Sequence, residues 1–179
     1  GFEDTRGTLF FDIARIIKEK KPKVVFLENV KNLSIHDKGN TLKVILKTLK
    51  DLGYVVEYKI LNAKDFGIPQ NRERIFIVGF NKDYLPNDYK EFDFPIGQKT
   101  KTCVGDILEE NVLDKYTISD NLYNYLINRK VIQKNKGNGF GFTTFNSEST
   151  YTNTISARYY KDGSEALIKK KNKNYRSRF

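Results

Sequence analysis

The chain has 179 residues, with 32 lysines and arginines against 22 acids, a net charge of +10 and 39% hydrophobic residues. That composition fits a globular protein of one domain or one and a half, and no apolar run approaches the ~18 residues of a membrane span. A single cysteine, Cys103, excludes an internal disulfide framework or a multi-cysteine zinc site and suits a reducing compartment.

Residues 5–20 predict an amphipathic helix, with Leu9, Phe10, Ile13, Ile16 and Ile17 on one face and Pro22 as a stop. Val24-Val25-Phe26-Leu27 is a short apolar run that predicts a strand buried on both faces. A polar loop over residues 31–40 leads to a second helix from Thr41 to Leu52. It is striped by Leu42, Ile45, Leu46, Leu49 and Leu52, and Gly53 stands at its end. Residues 54–61 predict a strand with Tyr54, Val56, Tyr58 and Ile60 on one side. After a loop holding Gly67 and Pro69, Ile75 to Phe80 predicts a third strand. The fold class is therefore α/β.

Around Asn81–Asp93 the pattern breaks into polar residues, tyrosine and proline. This places a domain boundary after residue 84, with residues 85–179 as a smaller mixed α+β region. Within it, Thr102–Glu110 and Ser119–Lys130 predict short helices. Residues 135–168 predict strands and long loops, with an alternation at Tyr151-Thr152-Asn153-Thr154-Ile155.

Charge is unevenly placed. Residues 1–84 carry 16 basic and 11 acidic side chains, residues 85–130 carry 6 and 8, and residues 131–179 carry 10 and 3. A basic tail rich in Tyr, Phe, Asn, Ser and Thr points to a polyanion, nucleic acid first, or to a solvated lysine-rich surface. Charge alone does not choose between them.

Two clusters can carry chemistry. Glu28-Asn29 ends the first predicted strand, where ligands collect in open α/β sheets, and a carboxyl beside apolar side chains there can serve as a proton donor. Gln70-Asn71-Arg72-Glu73-Arg74 opens another strand of the same sheet, with planar guanidinium donors suited to a carbonyl oxygen or a phosphate. The plainer alternative is an ordinary strand start whose arginines pair with Glu28 or Glu73. His36, Asp37 and Asp65 lack the company a metal needs, and Cys103 reads as a small core residue.

Three segments taken together resemble a known family. Asp4-Thr5-Arg6-Gly7-Thr8-Leu9-Phe10-Phe11, then Glu28-Asn29-Val30, then Gly67-Ile68-Pro69-Gln70-Asn71-Arg72-Glu73-Arg74 are similar to motifs of the DNA (cytosine-5)-methyltransferases of bacterial restriction–modification systems. Tyr116-Thr117-Ile118-Ser119 and the stretch from Tyr151 to Ile168 resemble that family's target-recognition region more loosely.

The resemblance implies part of a Rossmann-like, S-adenosylmethionine-dependent methyltransferase sheet over residues 1–84, followed by a target-recognition region. It implies a bacterial cytoplasmic protein whose partner is double-stranded DNA and which has no membrane role. It assigns Glu28 to N3 and Arg74 to O2 of a flipped cytosine, and gives Arg72 and Gln70 either the ordering of the pocket or a hold on the flipped nucleotide's phosphate. Asn29 then supports the loop, Leu9 lines the cofactor pocket, and Arg6, Arg158 and Lys161 contact DNA.

The family's Gly-rich cofactor turn, its Pro-Cys nucleophile and its closing helix are absent from this sequence, and Thr102 rather than Pro precedes Cys103. With no methionine anywhere, the chain reads as a middle-to-late piece of an enzyme, inactive alone and in need of a complementary chain carrying those motifs. Two alternatives stand beside this reading. One is a non-catalytic DNA-binding subunit or relic, and the other is a transfer-RNA cytosine methyltransferase.

Overall fold

Helix α1 (Thr5–Lys20) carries two adjacent apolar lines, Phe10–Ala14–Ile17 and Leu9–Ile13–Ile16. In the computed structural model, which describes residues 5–98, 101–139, 141–155, 166–169 and 176–178, only the first line packs on the core. Leu9, Ile13 and Ile16 are exposed. The single apolar face expected from helical spacing is thus two stripes, one of which lies open.

The chain divides into two units, Gly1–Asn62 with Glu73–Ile96, and Ala63–Arg72 with Gly97–Phe179. In the first unit, β1 (Val24–Val30), α2 (Asn40–Asp51) and β2 (Tyr54–Asn62) follow α1. A short strand, β3 (Gln70–Asn71), belongs to the second unit, and β4 (Glu73–Asn81) returns to the first. The sheet order is β1-β4-β2, and β4 runs antiparallel to both neighbours. β1 and β2 therefore point the same way, joined through α2, with β4 laid between them.

One face of this sheet packs against α2. Leu42, Ile45 and Leu49 of the helix meet Tyr54, Val56, Ile75 and Ile77, and Leu49 and Ile75 are wholly buried. The Tyr54 hydroxyl donates to the Pro22 carbonyl at 2.6 Å, satisfying the one polar atom of that side chain. Helix α2 is the expected one, and its apolar period matches the face it buries.

β1 departs from expectation. Val25 is buried and Leu27 packs on the core, but Val24, Phe26 and Val30 are exposed, with Phe26 stacked on Phe76 at 5.7 Å. The apolar run belongs to an edge strand with one covered face, so β1 is not buried on both sides.

Residues 85–96 stay with the first unit because Glu57 of β2 holds them. Its carboxylate accepts the Phe92 N–H at 2.8 and 3.0 Å and the Tyr89 hydroxyl at 3.0 Å. The rings of Tyr89 and Phe92 pack against Phe80.

The second unit is mixed α+β. Helix α3 (Asp120–Asn135) begins where Ser119 Oγ accepts the Leu122 N–H, and ends at Gly137, whose φ of +75° suits glycine. β5 (Thr143–Phe145) pairs parallel with β7 (Ala166–Lys169), which pairs antiparallel with β8 (Arg176–Arg178). β6 (Thr152–Asn153) pairs parallel with β3. Ile118, Leu126, Phe142 and Leu167 form its core.

The helix expected over Thr102–Glu110 shrinks to a 3₁₀ turn, Val104–Ile107. The Val104 and Gly105 N–H groups donate instead to the carbonyls of Ser149 and Ser147, at 2.8 and 2.9 Å.

Candidate active site

The central feature is a carboxylate and a guanidinium brought together by strand register. Glu28 lies opposite Phe76, and Arg74 lies opposite Val30. Residues two apart on paired strands point to the same face, so Glu28 and Arg74 are diagonal neighbours. Arg74 Nε donates to Glu28 Oε1 at 2.8 Å, and Arg74 Nη1 donates to the Glu73 carbonyl at 2.8 Å. The Arg74 side chain is 18% exposed and that of Glu28 is 44% exposed. The guanidinium is therefore the anchored partner, and the carboxylate is the one that meets solvent.

Glu73 does not compete for Arg74 through its side chain, which pairs with Lys31. Among the described residues, Glu28 Oε2 and Arg74 Nη2 have no hydrogen-bond partner. Asn29 turns inward on its own backbone, its Oδ1 accepting the Val30 N–H at 2.8 Å, which fixes the exit from the strand.

Gln70 and Arg72 sit differently from expectation. They do not open the strand that carries Arg74. The main sheet begins at Glu73, opposite Asn62, and the Ala63 N–H closes the preceding loop on the Arg72 carbonyl at 3.0 Å. Gln70 instead pairs with Thr152 in the second unit. The Thr152 N–H donates to the Pro69 carbonyl at 2.9 Å, and Thr154 Oγ1 donates to the Asn71 carbonyl at 2.8 Å. Neither threonine stands out as a site residue in the sequence. Their signals are the alternation over residues 151–155 and the loose resemblance of the stretch from Tyr151 to Ile168 to a target-recognition region.

Of the remaining candidates, Leu9 lies on α1 and is 61% exposed, open to contact from a ligand or another segment. Arg158 and Lys161 lie outside the described residues, as does the side chain of Arg6. Cys103 Sγ lies 2.7 Å from the Ser147 carbonyl, as donor, which gives this thiol a structural tie. His36 is exposed and its Nδ1 is 2.7 Å from Thr41 Oγ1. Among the described residues no three His, Cys, Asp or Glu side chains converge.

The family model described as C-5 cytosine-specific DNA methylase matches residues 1–178. The chain is 62% identical over 176 residues to the type II methyltransferase M.SsoII of Shigella sonnei, covering 98% of the chain and 46% of that relative. It is 61% identical over 176 residues to M1.ScrFI of Lactococcus lactis subsp. cremoris, covering 98% and 45%. The solved Entamoeba histolytica methyltransferase EhMeth shares the fold at a TM-score of 0.68 and 21% identity, over 98% of this chain and 54% of that one. The chain spans about half the length of the curated relatives it matches. With the family model matched over residues 1–178, the chain belongs to the C-5 cytosine-specific DNA methylases.

Proposed function

We propose that this chain supplies the base pocket and the target-recognition region for methylation of carbon 5 of a cytosine flipped out of a specific double-stranded DNA site. The observation that carries the reading is the Glu28–Arg74 pair, in which, among the described residues, Glu28 Oε2 and Arg74 Nη2 have no further partner. Attack of a thiolate on carbon 6 of cytosine forms an S–C bond and moves the 5,6 π pair towards carbon 5, with charge spreading to N3 and O2. The Glu28 carboxyl, in its protonated form, gives its proton to N3 and ends as the carboxylate paired with Arg74, whose guanidinium holds the charge growing on O2. Both contacts strengthen as the reaction proceeds, which is what accelerates it.

S-adenosylmethionine, when bound, supplies the methyl group. Leu9 is the residue of this chain that fits its pocket, as an exposed apolar side chain on α1. The Gly-rich cofactor turn and the Pro-Cys nucleophile belong to a complementary stretch of polypeptide. The basic stretch 131–179, with 10 basic and 3 acidic residues, supplies phosphate contacts and a steep salt dependence of DNA binding.

The test is a chimera in which this chain replaces the aligned stretch of the Shigella sonnei relative. Incubated with labelled S-adenosylmethionine and duplex DNA carrying candidate sites, it is expected to yield 5-methylcytosine on nucleoside analysis. A folded chimera that binds DNA but transfers nothing would overturn the catalytic reading and favour the DNA-binding subunit.

A further inference from the structure

The loop between β2 and β4 does not stand by itself. Its base is closed by the Ala63 N–H on the Arg72 carbonyl, while its outer part is held by the segment 151–155. Thr152 is buried, 3% exposed, and donates its N–H to Pro69 at 2.9 Å; its hydroxyl lies 3.2 Å from the Asn153 carbonyl and 3.4 Å from that of Pro69. Thr154 Oγ1 reaches the Asn71 carbonyl at 2.8 Å, one residue before Arg72. Lys64 lies over the Tyr151 ring at 4.9 Å, and the Gln98 N–H donates to the Asp65 carbonyl at 2.9 Å. Gly97 packs so closely that a Cβ there would stand 2.6 Å from Asp65 Cβ. Residues 63–72 are therefore gripped by two separate stretches of the second unit, residues 97–98 and 151–154.

We propose that Thr152 and Thr154 are positioning residues for Arg72. By fixing the carbonyls of Pro69 and Asn71, the 151–155 segment sets where the backbone of Arg72 stands, so that the region reading the DNA site also orders the loop leading into the base pocket. This inference rests on the function proposed above for that pocket. The rival role for an exposed threonine hydroxyl in a recognition region is a direct DNA contact, which predicts weaker binding instead of slower chemistry.

The variants Thr154→Val and Thr154→Ser, made in the chimera, separate the two. Valine keeps the branched shape and removes the donor, while serine keeps the donor. For Thr154→Val we expect about a tenfold loss of kcat with KM for DNA within about twofold. Backbone amide exchange at residues 70–72 should be at least about fivefold faster, with exchange in α2 unchanged. Thr154→Ser should restore both. Unchanged exchange in Thr154→Val, a loss confined to KM for DNA, or a failure of serine to rescue would each overturn the proposal. If the unsubstituted chimera transfers no methyl group, the proposed function fails, and the exchange measurement still decides the clamp.

Discussion

Glu28→Gln, made in the chimera, separates chemistry from stability at the proposed site. Glutamine keeps the shape and presents Oε1 to Arg74 Nε, the contact now made at 2.8 Å. What it loses is the ability to ionise, and with it the proton that Glu28 passes to N3. The stability cost is small, because Glu28 is 44% exposed and an ion pair screened to that degree contributes at most about 1 kcal/mol. The catalytic cost is large, since a donor aimed at charge that develops only in the transition state is worth ~10²–10³ in turnover, or about 3–4 kcal/mol at 1.36 kcal/mol per tenfold. Single-turnover transfer of labelled methyl groups measures the second effect, and urea denaturation followed by circular dichroism measures the first. The expected result is at least about a hundredfold slower transfer, DNA affinity within about twofold, and a denaturation midpoint nearly unchanged. Turnover within about threefold of the parent would refute the assignment of Glu28. So would an activity loss fully accounted for by a smaller folded fraction at the assay temperature.

Other consequences can be checked in the same chimera. Arg74→Lys keeps the charge but loses the planar fork that reaches Glu28 and the Glu73 carbonyl together, so transfer should fall about tenfold or more while salt-dependent DNA binding stays. Leu49→Ala opens a cavity at a wholly buried position between α2 and the sheet and should cost roughly 2–5 kcal/mol in urea denaturation. Gly97→Ala places a methyl group against Asp65 Cβ and its carbonyl at 2.6 and 2.8 Å; roughly 1–3 kcal/mol of destabilisation is expected, read from the denaturation midpoint. Burial and the hydrogen bond to Glu57 push the Tyr89 hydroxyl up from 10 to about 12. The folded form therefore holds this proton more tightly than the unfolded chain does. Its contribution is complete below pH 10 and is lost as pH rises towards 12, a loss that Tyr89→Phe should remove from the alkaline unfolding curve.

What the sequence discloses and what it conceals follow from how local each interaction is. The stripe Leu42, Ile45, Leu49 identifies α2 because a helix shows its buried face within twelve residues. α1 misleads for the same reason. Two apolar lines lie side by side on it, and spacing cannot say that only Phe10, Ala14 and Ile17 find a partner while Leu9, Ile13 and Ile16 stay bare. The run Val24–Leu27 likewise signals a strand but not its place at a sheet edge, which is decided by β4, a strand remote in sequence. The Glu28–Arg74 pair belongs to this non-local class, yet it was legible. Each residue sat in a recognisable motif at a strand end, and a paired ladder turns two such positions into neighbours. No motif announced Thr152 and Thr154. Their partners are backbone carbonyls, which every residue offers, so side-chain chemistry in the sequence cannot name them. Side chains that sit in recognisable motifs are thus the legible part, whereas hydrogen bonds to backbone carbonyls become visible only once the chain is folded.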